Sequence, residues 1–396
     1  MKILMINSVC GIGSTGRICT DLAVELEKQG HEVKIAYGRG EVPKQFEKYA
    51  VRIGSNFDIK FHGIASRIKD SSGLGSKKCT KKFIQWIDMF NPDIIHLHNI
   101  HGYYINIKVL FDYLKKCGKK IVWTLHDCWS FTGHCAYFDY VNCDKWKSCC
   151  YNCEQKREYP RSIFLDRSQR NFEIKKELFT DVPELTLIVP SQWLCGLVQQ
   201  SFLNEYPVKV IYNGIDISVF KPYKTNIYKK YNCEGKKIVL GVANVWDRRK
   251  GLDSFIELSH DLTDEYQIVL IGLKKEQLLK LPNNIIGLEK TNSIQELAEF
   301  YSSADVFVNP TLEDNYPTTN LESIACGTPV ITYNTGGSGE SASRYGMVVN
   351  KGNIEALEKA IVKLTNDKVR KKDICLSKEE MIEKYKQVYE NNEFDK

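Results

Sequence analysis

The chain has 396 residues, 43% of them hydrophobic and 26% charged, with a formal net charge of +6. That length exceeds one ordinary core and favours two α/β-sized units, and the composition excludes long disordered tracts. No apolar run approaches the roughly 20 residues that a membrane span requires. The opening MKILMINSVC reads as a strand, not as the core of a signal peptide, so a cytoplasmic location is expected. In that compartment the fourteen cysteines read as buried thiols or metal ligands and not as disulfides.

Short β-branched runs alternate with amphipathic stretches, the pattern of βαβ units in a parallel sheet, and the pattern occurs twice. The first series predicts strands over 2–7, 32–37, 93–98, 120–124, 185–189 and 208–212, with helices near 16–29, 77–90, 107–116, 162–179 and 191–203. After its first strand, Gly11, Gly13 and Gly16 fit G-x-G-x-x-G, but no acidic residue ends the second strand. Gly13 and Gly16 are read either as close to a phosphate at a helix N-terminus or as turn glycines.

Lys60, Arg67, Lys69, Lys77, Lys78, Lys81 and Lys82 share a segment with Phe61, Ile64, Ile68, Leu74 and Phe83. A basic face backed by apolar residues can lie on an anionic membrane, and the plainer reading is a solvated face. His96, His98 and His101 resemble a metal cluster, yet no carboxylate is spaced to complete one, and a structural role is expected. At the end of the fourth predicted strand stands Thr124-Leu125-His126-Asp127, an imidazole and a carboxylate where doubly wound sheets place functional groups.

Residues 128–153 form an insert that a minimal loop does not need, and six cysteines fall in it. Cys135, Cys143, Cys150 and Cys153 are spaced C-x7-C-x6-C-x2-C, and the C-x2-C step suits a tetrahedral structural zinc, with free thiols as the alternative. The Asn213-Gly214 step marks a hinge. The second series predicts strands over 237–242, 267–271, 285–288, 306–309, 329–333 and 347–349, and helices near 251–261, 294–303, 318–326 and 354–364. The expected domains are 1–212 and 213–377, with a final segment, 378–396, whose helix packs back on the first domain.

In the second series, Arg248, Arg249 and Lys250 precede Gly251 and a helix, which places cations beside helix amides and suits a diphosphate. Further on, Asp314 and Glu322 lie eight residues apart across a loop and a helix start. A loop carboxylate can accept from sugar hydroxyls, and one inside the helix can hold a ribose diol.

At these residues the sequence resembles glycosyltransferase family 4, the retaining enzymes of GT-B fold, and especially those of capsule and exopolysaccharide pathways. The resemblance rests on 13–16 with Gly30-His31-Glu32-Val33, on 124–127, on 210–216, on Lys250-Gly251, and on the acidic segment followed by Ala325-Cys326-Gly327-Thr328-Pro329. It implies two Rossmann-like domains facing each other across a donor-binding cleft. The donor would be a nucleotide-diphosphate sugar of hexose type, and the acceptor a glycan or lipid-linked glycan at the inner membrane face. Nucleic acid is not an expected partner.

By the same resemblance, Glu322 holds the donor ribose, Asp314 touches the sugar, the Asn320 and Leu321 amides approach the diphosphate, His126 meets the transferred sugar, and Lys250 neutralises phosphate charge. Two departures stand out. Asp314 occupies a position where the family has glutamate, and the usual arginine has no counterpart in 242–246, which leaves Arg248 or Arg249 as its substitute. No Asp-x-Asp motif occurs, so no catalytic metal is expected. The remaining alternatives are a phosphorylase or sugar-nucleotide epimerase on the same fold, or an inactive zinc-bearing binding protein.

Overall fold

The computed structural model describes residues 1–367 and 377–390. Residues 368–376 of the expected second domain and 391–396 of the expected final segment lie outside them. The chain divides into two compact units, one of Met1–Ile211 with the chain from Ile382 onward, the other of Tyr212–Met381.

The first unit runs β1 (Lys2–Ile6), α1 (Gly13–Lys28), β2 (Glu32–Tyr37), β3 (Ala50–Arg52), α2 (Asn56–Lys69), α3 (Lys77–Phe90), β4 (Ile94–Leu97), α4 (Ile107–Leu114), β5 (Lys120–Thr124), α5 (Ser168–Phe179), β6 (Leu185–Val189), α6 (Gln192–Gln199) and β7 (Val208–Val210). Its strands are all parallel, in the order β3-β2-β1-β4-β5-β6-β7. Ile3 to Ile6, Leu187 to Val189 and Ile121 to Trp123 are almost wholly buried, as strands covered by helices on both faces must be.

Several elements differ from the sequence expectation. β3 and α2 were not foreseen, although a reciprocal cap starts α2: Ser55 Oγ accepts from the Asp58 amide at 3.2 Å while Asp58 Oδ2 accepts from the Ser55 amide at 2.8 Å. On α2, Phe57, Phe61, Ile64 and Ile68 recur along one stripe, but that stripe is exposed, whereas Phe83 of α3 is buried. The apolar side chains therefore do not all stand behind the basic face, as the sequence reading had it. The helix expected from 162 begins at Ser168, whose amide (2.9 Å) and hydroxyl (2.6 Å) both donate to Asp166 Oδ1 in the preceding turn.

The insert is ordered by its own small core. Three one-turn helices, Trp129–Phe131, Asp139–Val141 and Lys145–Lys147, bring Phe131, Phe138 and Trp146 together, with Phe138 stacked on Trp146 at 4.9 Å. Lys175 of α5 is buried beneath it, donating to the carbonyls of Trp129 (2.6 Å) and Thr132 (2.9 Å) and lying 3.6 Å from the Trp129 ring centre.

The second unit runs β8 (Lys237–Val242), α7 (Leu252–Asp261), β9 (Tyr266–Ile271), α8 (Lys275–Leu278), β10 (Ile285–Leu288), α9 (Ile294–Ser303), β11 (Val306–Asn309), α10 (Thr318–Ala325), β12 (Val330–Tyr333), α11 (Ser338–Ala342), β13 (Gly346–Val349) and α12 (Ile354–Asn366). Its parallel sheet has the order β10-β9-β8-β11-β12-β13. A last helix, α13 (Lys378–Tyr389), carries Tyr385 and Tyr389 into the core of the first unit.

Candidate active site

In the second unit the strand order reverses between β8 and β11. The loops following those two strands frame the crevice in which doubly wound sheets bind ligands. The first loop makes a one-turn helix, Arg248–Lys250, capped by Asp247, whose Oδ1 accepts from the Lys250 amide at 3.1 Å. Gly251 follows at φ +74°, where a Cβ would lie 2.1 Å from the Pro310 carbonyl oxygen, so only glycine lets the two loops come this close. The Arg249 carbonyl then accepts from the Leu312 amide at 2.7 Å and ties the loops together.

Between these loops Lys250 and Asp314, 64 residues apart, form an ion pair. The second carboxylate oxygen of Asp314 accepts from the Asn315 amide at 2.9 Å. Its backbone is pinned as well, since a Cβ on Gly336 would lie 1.8 Å from the Asp314 carbonyl oxygen. Both predicted residues are thus brought together, and Asp314 is held by protein donors, with further lone pairs left to a carboxylate for a ligand hydroxyl. Arg248 is exposed and Arg249 half-buried on the same turn.

Glu322, half-buried on α10, accepts from the Tyr301 hydroxyl at 3.1 Å. Burial raises the Tyr301 phenol well above its ordinary range, which keeps it a donor. Asn320 is completely buried and its side chain is structural: its Oδ1 accepts from Asn309 at 2.8 Å, and its Nδ2 donates to Ser341 Oγ at 2.8 Å. Its amide donates to the Pro317 carbonyl at 3.3 Å, and Leu321 is core. The amides that helix geometry leaves unbonded at the start of α10 are those of Thr318 and Thr319, two residues ahead of the pair expected from the sequence.

In the first unit His126 follows β5 and is half-buried, with Nε2 3.0 Å from His98 Nδ1. His98 packs against His96 at 4.0 Å, and His96 bonds Thr124 Oγ1 at 2.8 Å and Tyr389 at 2.6 Å. Burial lowers the His126 pKa to about 4, so the ring is neutral at pH 7. Asp127 pairs with His101 at 2.9 Å and also accepts from the Trp129 amide at 2.9 Å. His96 and His101 thus have a partner on each ring nitrogen, whereas His98 Nε2 is buried with no hydrogen-bond partner. Gly13 opens α1, and Gly16 packs on Val9 while its carbonyl accepts from the Gly11 amide at 3.2 Å.

The thirteen cysteines among the described residues are all free thiols. Cys135, Cys143, Cys150 and Cys153 line one cavity of about 20 Å³. Among the described residues, however, no three His, Cys, Asp or Glu side chains stand where they could together hold a metal ion, so the expected four-thiolate sphere is not formed as the side chains are placed. Phe131, Phe138 and Trp146 pack the insert beside this cavity. Sequence reasoning missed Tyr301, Tyr385, Tyr389 and the His134–Asp70 pair, which have no local signal.

The sequence description of glycosyltransferase family 4 matches residues 15–219, and that of group 1 glycosyl transferases matches 236–367. The chain belongs to glycosyltransferase family 4. This glycosyltransferase is 24% identical over 365 residues to WcaC of Escherichia coli strain K12, named as a colanic acid biosynthesis glycosyl transferase, covering 87% of this chain and 86% of that one. It is 27% identical over 179 residues to CapM of Staphylococcus aureus, a capsular polysaccharide biosynthesis glycosyltransferase, covering 39% and 44%. Among solved structures, sucrose-phosphate synthase from Thermosynechococcus elongatus superposes with a TM-score of 0.70 at 16% identity over 98% of each chain. Anabaena Alr3699/HepE in complex with UDP and glucose superposes at 0.67 and 15% identity, over 98% of this chain and 99% of that one. These likenesses give the GT-B fold. Among the described residues no helix is long and apolar enough to cross a membrane.

Proposed function

We propose that this glycosyltransferase moves a hexose-type sugar, with retention, from a nucleotide diphosphate to a glycan or lipid-linked acceptor in polysaccharide biosynthesis. The observation that carries the reading is the Lys250–Asp314 pair at the strand-order reversal of the second unit, beside the start of α10. An ammonium and a helix start in one crevice suit a diphosphate, because cation, dipole and unbonded amides all favour negative charge. Lys250 has three N–H donors, so it can keep Asp314 and meet a phosphate oxygen together. Glu322 would accept from the ribose hydroxyls, His126 as a neutral imidazole would meet the sugar, and the departing diphosphate would help to take the acceptor's proton. The complex of HepE with UDP and glucose, a protein of the same fold, agrees with a nucleotide donor.

The exposed stripe Phe57, Phe61, Ile64 and Ile68 on α2, with Lys60, Arg67 and Lys69 beside it, supports an acceptor presented at an anionic membrane surface. Exposed Ile163, Phe164 and Leu165 extend it, the Ile163 amide donating to the Arg67 carbonyl at 2.8 Å. The test is a thermal-stabilisation screen of nucleoside diphosphates and their sugars, since ligands of the native state raise its stability with concentration over Kd. It is followed by determination of the anomeric configuration of any product. Inversion would overturn the stereochemical part, and the absence of any stabilising nucleotide would overturn the whole.

A further inference from the structure

His134 lines the same small cavity as Cys135, Cys143, Cys150 and Cys153. Its side chain is 2% exposed; Nδ1 is 2.6 Å from Asp70 Oδ1, and Nε2 is buried with no hydrogen-bond partner. A carboxylate on Nδ1 fixes the proton there and leaves the Nε2 lone pair unprotonated, which is the arrangement that prepares an imidazole to bind a metal. A buried polar atom without a partner also carries a cost unless something takes it.

Polar groups are packed against these thiols. The Gly133 amide donates to Cys150 Sγ at 3.2 Å, and Cys135 is hydrogen-bonded to Cys153. Lys175 is buried close to Cys150 and Cys135 and donates to the carbonyls of Trp129 (2.6 Å) and Thr132 (2.9 Å). Several thiolates on one divalent ion leave net negative charge, which a lysine beside them offsets when it carries its proton. Asp70, which holds His134, also accepts from the Arg167 amide at 2.7 Å, so the imidazole is fixed to the base of α5.

We infer that this cavity is a zinc-class metal site in which His134 Nε2 and thiolates of the cysteine insert are the ligands. As placed, the side chains do not converge to ligating distance. The ion enters when the thiols turn between staggered χ1 wells into the cavity, each releasing its proton. A sphere closed by four protein ligands leaves no position for water, so the metal fastens the insert and takes no part in transfer.

The test is elemental analysis of the full chain, purified in reductant without added metal and again after zinc loading and dialysis. One zinc per chain is expected, with cobalt(II) replacement giving the intense visible bands of a tetrahedral thiolate site. Less than about one-fifth of an equivalent after loading, with the thiols titrating as reduced, would overturn the site; so would disulfides among these cysteines in the native protein. His134→Asn should lower the zinc content, and Lys175→Met should speed zinc loss to a chelator. Full zinc retention in His134→Asn, with loss in Cys150→Ser, would overturn the histidine as ligand. Circular dichroism on each variant separates loss of metal from loss of fold.

Discussion

Acidification should unfold the first unit well before the second. His62 and His96 are almost completely buried, and burial lowers their pKa values to about 4 and about 3. The geometry agrees for His62, whose Nε2 accepts from the Gly75 amide at 3.0 Å, a bond that protonation would destroy. In both cases the folded pKa lies below that of the unfolded chain, near 6.5, so the unfolded state takes up protons first as pH falls. The stability these groups contribute is complete above about pH 6.5 and is lost from there down to the folded pKa. At pH 5 both are still neutral in the folded protein, and each costs about 1.4 kcal/mol for every pH unit below 6.5, or about 2 kcal/mol. Together they remove about 4 kcal/mol, a large part of the roughly 5–15 kcal/mol that holds a domain folded. For a unit of this size that lowers Tm by about 8–16 °C. His126 and His98 act in the same direction. The second unit holds only one histidine, His260, and it is exposed, so it is the internal control. Differential scanning calorimetry at pH 7.5, 6 and 5 is the assay, with tryptophan emission to assign the transitions, because Trp246 is the sole tryptophan of the second unit. A first-unit transition that moves by less than about 3 °C, or two transitions that move equally, would refute the reasoning.

Glu322→Gln should weaken binding of the cognate nucleotide by about 10- to 150-fold, the cost of a hydrogen bond to a charged group; calorimetry that finds the same Kd would remove the ribose assignment. Lys250→Met should cut the transfer rate by about 100- to 1000-fold, the usual effect of deleting one preorganised charge-stabilising donor, and steady-state kinetics decide it. His126→Ala should slow transfer while nucleotide affinity stays nearly constant, and an equal loss of both would move the imidazole away from the sugar. Replacing Lys77, Lys78, Lys81 and Lys82 with glutamine should weaken sedimentation with anionic vesicles by about 1 kcal/mol per charge near the surface. Unchanged sedimentation would leave these residues as a solvated face.

Most of both sheets was legible because each strand is a short apolar run bounded by turn residues. β2, β5, β6, β8, β10 and β11 begin and end where the pattern places them. β3 was not legible, since three residues, Ala50–Arg52, carry no periodicity. α2 escaped for a different reason: its apolar stripe faces solvent, while the pattern argument assumes that an apolar face is a buried one. The small core of the insert was not legible, because Phe131, Phe138 and Trp146 meet across short turns, a contact set with no regular spacing.

In the candidate site the residue types were readable and their partners were not. Lys250 and Asp314 each announce themselves by position after a strand, yet nothing in the sequence pairs them. The pairing follows from the neighbouring positions of β8 and β11 and from glycines that let the loops touch. The pairing also explains how aspartate can stand where the family has glutamate. The side chain is shorter by one methylene, but Lys250 and the Asn315 amide hold it in the crevice, so the charge stays at the strand-order reversal although its reach is reduced. A carboxylate fixed in this way meets a sugar hydroxyl only where the donor approaches it closely. Asp314→Glu should consequently change which sugar is preferred more than it changes nucleotide affinity, and competition between nucleotide sugars that share one base reads the difference directly. Equal effects on every sugar would mean that the carboxylate serves Lys250 alone.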